Sequence, residues 1–320
     1  MPEMRREILT CSSTRALLDC QRKYYWAYEE CLRPVEEPEY FTMGSAVHDF
    51  LEPFLLGKSF EDSVEHLEAG RASGKFTADI YCKAMATCDA YRNKWGAEDS
   101  EFEVIDTEIE WSVPIDTPDG GFTLGGKVDG LVRSRTTGKT WIIEHKTTSR
   151  IDGTYLEKLW SDLQVRIYGH IASMSYELAS KSGKGDVGGP CGVIYNVVLK
   201  PSLRRYKANK RRDVDEGDDQ FLMRLADWYE AEDRFVREYL PLHEIGRDET
   251  IKEVTEAYHL LQFAKQRGYW LESRSRCYGI LGNCKYLSIC RSGGVPGDPG
   301  PIARTRFVKT KKHEEIEEIF

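Results

Sequence analysis

Two periods divide the middle of the chain. From Glu103 to Thr148, "EVIDTEIEWSVPI", "GFTLGGKVDGLVRS" and "TWIIEHKTT" are rich in β-formers and separated by turn residues, the last two by "RTTGK". They predict a meander of antiparallel strands. From Tyr155 the period changes: in "TYLEKLWSDLQVRIYGHIASM" the residues Leu156, Leu159, Leu163, Ile167 and Ile171 recur at three and four, the spacing of an amphipathic helix. "GVIYNVVLK" then predicts one more strand, a buried one. Before the meander, Ser12 and Ser13 can cap a helix carrying Leu17, Leu18, Tyr24, Tyr25 and Tyr28, and "MGSAVHDFLEPFLLG" and "FTADIYCKAMATCDAYRNKW" read as further helices. After it, two long polar helices are expected between Asp218 and Arg267. The order is helices, sheet, helices, with no internal repeat to suggest a solenoid.

The meander ends oddly. Along a strand Ile142, Glu144 and Lys146 project to one face and Trp141, Ile143 and His145 to the other, so a carboxylate and an ammonium sit side by side where a dry strand should continue. Burying such a pair without partners is costly, which calls for a compensating network or a chemical role. Asp129, in "GGKVDG" on the preceding strand, can converge with Glu144 and Lys146 across the hairpin. Two hard oxygen ligands suit Mg²⁺ or Mn²⁺, and an ammonium beside them suits phosphodiester chemistry. The helix that follows adds Gln164 and Tyr168, one turn apart, on one face with Trp160.

Length and charge narrow the class. A chain of 320 residues can form two average domains or one elaborated α/β unit. The N-terminus is polar and no apolar run approaches the ~20 residues of a membrane span, so a soluble cytoplasmic protein is expected. The net charge of −8 argues against a protein coated in nucleic acid but leaves room for a local basic channel. The densest basic run, "KPSLRRYKANKRRD", holds Arg204, Arg205, Lys207, Lys210, Arg211 and Arg212; it is either a solvated loop or a phosphate-contacting segment. No "GxxxxGK(S/T)" motif is present, which argues against a complete helicase-nuclease. Nine cysteines without an export signal do not suggest a disulfide framework. Cys277, Cys284 and Cys290 crowd one loop-rich segment and invite a metal, while Cys11, Cys31, Cys82, Cys88 and Cys191 read as core thiols. The segment from Arg291 onward, rich in Gly and Pro and then charged, is expected to be loosely held.

Asp129, then Glu144-x-Lys146, then Gln164-x-x-x-Tyr168, with Gly44-x-x-x-His48 upstream, resembles the PD-(D/E)XK nuclease superfamily, in particular its RecB-like branch. The resemblance implies a restriction-endonuclease-like α/β core, a mixed central sheet flanked by helices with helical additions. It assigns His48, Asp129, Glu144 and the backbone carbonyl of His145 to a Mg²⁺ or Mn²⁺ ion, Lys146 to catalysis, and Gln164 and Tyr168 to support of the lysine and the substrate phosphate. "SSTRALLDCQRKYYWAY" is similar to that branch's N-terminal cysteine pattern, with Gln21 where proline is usual. On that resemblance Cys20 joins Cys277, Cys284 and Cys290 around a 4Fe-4S cluster, as in AddB-type helicase-nucleases and CRISPR adaptation nucleases. Zinc is the alternative for a four-cysteine set.

The expectation is thus one nuclease domain over residues 1–320. Its catalytic core falls at about 100–200, a helical insertion at about 43–98, an iron-sulfur clasp at Cys20 and 277–290, and a loose tail at about 292–320. The implied activity is a metal-dependent DNA exonuclease working at single-stranded ends in recombination, repair or phage and mobile-element processing, with a recombination or CRISPR protein as possible partner. A non-catalytic DNA-end binding subunit and a sequence-specific endonuclease are the alternatives.

Overall fold

The computed structural model describes residues 6–35, 39–118, 120–181, 189–208, 214–244, 247–279, 282–313 and 316. A short strand, β1 (Glu7–Leu9), leads directly into α1 (Cys11–Asp19). Thr10, two residues before the first of the expected serines, is the cap: its side chain accepts from the Ser13 N–H while the Ser13 hydroxyl accepts from the Thr10 N–H. The helix does not run on to Tyr28. Cys20 is extended, with φ −168°, and the chain restarts as α2 (Gln21–Tyr24) and a π turn over Tyr25–Glu29 before β2 (Leu32–Pro34).

The helical insertion holds three helices, α3 (Glu39–Leu55), α4 (Phe60–Ala72) and α5 (Ala78–Asp99). The middle one was not legible in the apolar pattern, because its polar sequence is started by a capping box between Ser59 and Asp62. Its core of Val47, Phe50, Leu51, Leu67, Ile80 and Tyr91 packs apart from the main one.

The expected meander is present as β3 (Phe102–Ile115), β4 (Phe122–Ser134) and β5 (Thr140–Thr148), all antiparallel neighbours. The long amphipathic segment that follows is two helices, α6 (Gly153–Leu159) and α7 (Leu163–Lys181). Trp160 falls in the break and is exposed, so it does not share a buried face with Gln164 and Tyr168; Asp162 accepts from the Gln164 N–H at 2.7 Å and restarts the helix. The chain then crosses to β6 (Gly192–Leu199), parallel to β5 and buried as expected.

Between Asp218 and Arg267 the expectation of two polar helices is half right. α8 (Asp218–Tyr229) and α9 (Arg247–Arg267) form, but β7 (Phe235–Pro241) lies between them and pairs antiparallel with β6. Arg237 hides this strand in the sequence: a charge in mid-strand, its side chain 2% exposed, is satisfied by Asp99 at 2.7 Å, Glu98 at 3.0 Å and Asn196 at 2.6 Å. The last elements are a hairpin of β8 (Tyr278–Gly279) and β9 (Gly282–Asn283), then α10 (Leu287–Arg291), α11 (Gly300–Arg306) and β10 (Phe307–Lys309). The segment after Arg291 is not loose in its described part. β10 pairs with β2, Phe307 and Ala303 join a small core with Trp26 and Tyr286, and Lys312 bonds Glu7 at 2.6 Å and Glu29 at 3.2 Å.

The sheet order is β1-β4-β5-β6-β7, with β3 along the other edge of β4. β1 pairs with β4 only at 122–124 and β5 only at 130–133, so both lie on one edge of β4 with residues 125–129 unpaired between them. That fork in the sheet is where the charged residues gather.

Candidate active site

The ladder between β4 and β5 stops at Gly130 and Ile143. Beyond it the His145 N–H would lose its partner, and the Asp129 carboxylate supplies one: Oδ2 accepts that N–H at 2.7 Å. The aspartate is thus fixed at the fork by the same divergence that opens the cleft. Glu144, 2% exposed, turns toward the same space. Lys146 Nζ donates to Glu144 Oε1 at 2.9 Å, Gln164 Nε2 donates to the same oxygen at 2.6 Å, and Gln164 also donates to the Tyr168 hydroxyl at 3.0 Å. Gly126 keeps β4 clear of this helix, since a Cβ there would stand 2.8 Å from the Tyr168 ring. On the other wall, α3 places His48 Nδ1 3.6 Å from Asp129 Oδ1.

Together these residues line a cleft of ≈ 450 Å³ with Thr10, Cys11 and Ser12 at the start of α1, Glu108, and Ile316. His48, Asp129, Glu144, Lys146, Gln164 and Tyr168 are therefore all brought together. His145 lies with its ring on the opposite face, its Nδ1 3.4 Å from Asn196, which leaves its main chain at the cleft. Glu108 is the member that motif reading missed. It belongs to no spacing pattern and reaches the site because β3 lies beside β4.

The electrostatics follow from burial. Desolvation pushes the carboxyls of Asp129 and Glu144 up to about 7; the Asp129 charge raises Glu144 further, and Lys146 opposes both shifts. Burial alone would lower Lys146, but Glu144 and Asp129 outweigh it and hold the ammonium above its ordinary value. Burial lowers His48, which keeps its imidazole neutral and free to ligate. Glu144 Oε2 is buried without a hydrogen-bond partner. An orphaned carboxylate oxygen, a second buried carboxylate and a neutral imidazole form a donor set that fits a divalent cation. Among the described residues, His48, Glu108 and Asp129 offer ligand atoms within 4.8 Å of one another, and Glu144 stands outside that trio.

This arrangement agrees with a match over residues 8–291 to the PD-(D/E)XK nuclease superfamily. The chain belongs to that superfamily. Membership points to metal-dependent nuclease activity and to DNA as the bound polymer, and the mixed sheet flanked by helices is the fold it requires. Among solved structures that match is the crystal structure of SSO0001, 14% identical, covering 71% of this chain and 76% of that one, with a TM-score of 0.28. No curated protein matches the chain. Among the described residues of this nuclease-superfamily chain no helix is long and apolar enough to cross a membrane.

The cysteines form a second cluster. Cys20 sits at the break between α1 and α2, where Ser273 N–H donates to its sulfur at 3.4 Å. Gln21, in the place of the usual proline, accepts the Leu271 N–H at 3.0 Å, and Arg22 N–H donates to Leu271 O at 3.1 Å. These bonds seat the first helices against the chain just before Cys277. Burial raises the thiol pKa values of Cys277, Cys284 and Cys290; Cys20 raises Cys277 and Cys284 further, and Glu272 and Cys284 raise Cys290. Cys11, Cys82 and Cys88 are buried core thiols, and Cys31 and Cys191 are half-buried.

The basic run divides. Arg205 is 8% exposed and committed to Asp79 at 2.7 Å and Asp218 at 2.9 Å, so it braces the helical insertion rather than facing solvent. Arg204 is exposed, and Lys207 is exposed with Asp215 3.4 Å away. Lys210, Arg211 and Arg212 lie outside the described residues.

Proposed function

We propose that this chain is a DNA exonuclease that hydrolyses single-stranded ends with Mg²⁺ or Mn²⁺. The observation that carries the reading is the fork in the sheet, where Asp129 and Glu144 converge with Lys146 bonded to Glu144 at 2.9 Å. Asp129, Glu144, His48 and the His145 carbonyl would hold the cation. A divalent ion bound there supplies charge neutralisation for the phosphate and a water of lowered pKa. The chain's own groups do the rest. Lys146, held protonated by the two carboxylates, orients the attacking water and supports charge that develops on the phosphate. Gln164 fixes Glu144 and, through its bond to Tyr168, sets that hydroxyl beside the phosphate path. A cleft of ≈ 450 Å³ has the dimensions of a small-molecule pocket, which favours a single strand over a duplex.

Cys20, Cys277, Cys284 and Cys290 would hold a 4Fe-4S cluster. The elevation of these half-buried, neighbouring thiols is relieved when a metal centre takes them as thiolates. Zinc is the alternative for the same four thiols. A DNA-processing partner of the recombination or CRISPR type would present the end.

The test is end-labelled single-stranded, duplex and circular DNA incubated with Mg²⁺, Mn²⁺ or chelator. Metal-dependent shortening of linear single strands with circles left intact is expected. Discrete fragments from circular duplex would make the chain an endonuclease, and binding without cleavage would make it a DNA-end binding subunit.

A further inference from the structure

Behind the cleft three polar side chains form one row. His145 on β5, Asn196 on β6 and Arg237 on β7 are register neighbours across three strands, on the sheet face away from Glu144. Each is at most 2% exposed. Polar groups so deeply buried need partners, and here they are supplied in sequence. Asp99 at 2.7 Å and Glu98 at 3.0 Å, at the C-terminal end of α5, hold the Arg237 guanidinium, which lies 4.4 Å from the centre of the Trp95 ring. Arg237 Nε donates to Asn196 Oδ1 at 2.6 Å. A guanidinium can only donate, so the amide oxygen must face Arg237 and the amide nitrogen turns the other way. Asn196 Nδ2 therefore donates to the Tyr91 hydroxyl at 3.1 Å and to His145 Nδ1 at 3.4 Å. A ring nitrogen that accepts carries no proton, which places the proton of the neutral His145 ring on Nε2. Nε2 is buried without a hydrogen-bond partner, so among the described residues Asn196 alone orients the ring by a hydrogen bond.

The main chain of His145 faces the fork. In a strand the N–H and C=O of one residue leave by the same edge. The His145 N–H goes to Asp129 Oδ2 at 2.7 Å, on the β4 side, so its carbonyl also leaves toward β4, where residues 125–129 have no strand on that edge. The ladder to β6 engages the residues on either side of His145 and leaves its own N–H and C=O to the cleft. What fixes the chain at that point, besides Asp129 itself, is the seat of the His145 side chain.

We propose that Asn196 and Arg237 are positioning residues for the metal site: by seating the His145 ring they hold the main chain whose N–H fixes Asp129 and whose carbonyl faces the cation. The helical insertion takes part through Tyr91 and Asp99, which makes α5 a brace for the site as well as a cover for the sheet. The proposal rests on the reading of the cleft as a metal-dependent nuclease site, and it gives a role to residues that touch neither ion nor DNA. Outer partners of this kind set metal affinity by ~10–100-fold.

Two measurements on the full chain test it. The first is the His145 tautomer, read in chelator at pH 8 from the nitrogen-15 resonances of labelled imidazoles and assigned with His145→Gln. A proton on Nε2 is expected in the unaltered chain. Asn196→Asp keeps the shape and the acceptor for Arg237 but turns an oxygen toward Nδ1, so the proton should move to Nδ1. A proton on Nδ1 in the unaltered chain, or one that Asn196→Asp leaves on Nε2, overturns the seat. The second measurement is Mn²⁺ affinity, followed by the electron paramagnetic resonance signal of the free ion. Asn196→Leu should bind the ion about tenfold more weakly and yet cleave near the full rate once Mn²⁺ is saturating, because Glu144 and Lys146 are untouched. If Asn196→Leu does not fold, Tyr91→Phe, which removes only the hydroxyl that Asn196 and Arg237 share, should give a smaller loss in the same direction. Thr87→Val removes a buried hydrogen bond to Tyr229 outside this row, so it controls for lost stability and should leave the affinity unchanged. Undiminished Mn²⁺ affinity in the row variants, or an equal loss in Thr87→Val, overturns the positioning role and leaves the nuclease reading intact. An unaltered chain that takes up no Mn²⁺ sinks both.

Discussion

Asp129, Glu144 and Lys146 reach the cleft on two strands whose other edges are locked by long ladders, β4 to β3 and β5 to β6. Cys20 reaches Cys277, Cys284 and Cys290 across a joint of short helices, turns and a two-residue-per-strand hairpin. Both regions gather groups that repel one another when charged. In the cleft the sheet holds them in place regardless, with Lys146 and Gln164 on one oxygen of Glu144 and the other oxygen left open. In the clasp the two chain segments meet through hydrogen bonds around Leu271 and Ser273 and through the small core of Trp26, Leu32, Tyr286 and Ile289, with the cysteines themselves on loops and helix ends. A site framed by ladders is preorganised before its ion arrives, whereas a site framed by loops depends on its centre for its shape.

The largest effect that tests this contrast is on rate. Lys146→Ala should lower cleavage by ~10²–10⁴-fold, the usual contribution of a group acting on the nucleophile or transition state, while the melting temperature changes little. Loss of the ammonium leaves Glu144 buried, but its carboxyl already sits at about 7 and can take a proton in its place. Near-full cleavage by the purified variant would remove Lys146 from the mechanism, and collapse of the fold would show that the cleft is not preorganised.

The clasp should respond in the opposite sense, through stability. Protein purified without oxygen is expected to be brown with about four irons per chain, the stoichiometry of the four-cysteine cluster class. Cys20→Ala should lose the centre as completely as Cys284→Ala and destabilise the chain by an amount on the order of several kcal/mol, because a bond network closing a loop of this length restricts the unfolded chain. Iron analysis with urea unfolding checks both. One stoichiometric zinc would keep the clasp and replace the cluster, while a Cys20→Ala variant with full iron content would break the link between the chain's two ends.

A smaller effect is a dependence on pH. Asp129 and Glu144 have carboxyls raised to about 7, with burial the first cause of each. In chelator the folded chain therefore retains protons that the unfolded chain releases, from about pH 4 up to about 7. Stability contributed by these groups is highest at the acid end, falls through that window and levels above it. Melting curves in chelator should show this fall, Glu144→Gln should flatten it, and Mn²⁺ should stabilise the chain more at pH 8 than at pH 5. A wild-type curve in chelator with the same pH slope as Glu144→Gln would refute the assignment.

The contrast also explains what could be read in advance. Asp129, Glu144, Lys146, Gln164 and Tyr168 were legible because a strand or helix period fixes the face of each residue relative to its neighbours. Glu108 was not, because its place depends on the pairing of β3 with β4, which no spacing encodes. β7 was missed for a related reason: Arg237 is hydrophilic in sequence, and only Asp99, Glu98 and Asn196, each far along the chain, make it a buried residue. The helix break at Trp160–Asp162 was hidden by an apolar period that continues across it. The tail's attachment through β10 to β2 is again a long-range pairing that composition does not carry.

The smallest expected effect decides whether the basic run belongs to the cleft. Three nearby cations have different surroundings: Arg205 is buried against Asp79 and Asp218, whereas Arg204 and Lys207 are exposed. If the exposed two meet phosphates of a single strand, each contributes a slope of ~0.7 in log affinity against log salt through counterion release. Replacing both by alanine should then reduce the salt slope of single-strand binding by about 1.4, with melting unchanged. Arg205→Ala should do the reverse, since removing this buried guanidinium takes away the bridge between Asp79 on α5 and Asp218 on α8, leaving Asp218 with Arg71. It should lower the melting temperature and leave the slope alone. A salt slope that Arg204→Ala with Lys207→Ala does not alter would return the segment to a solvated loop. A slope lost with Arg205→Ala alone would mean that the run acts through the shape of the helical insertion, not through direct contact with the strand.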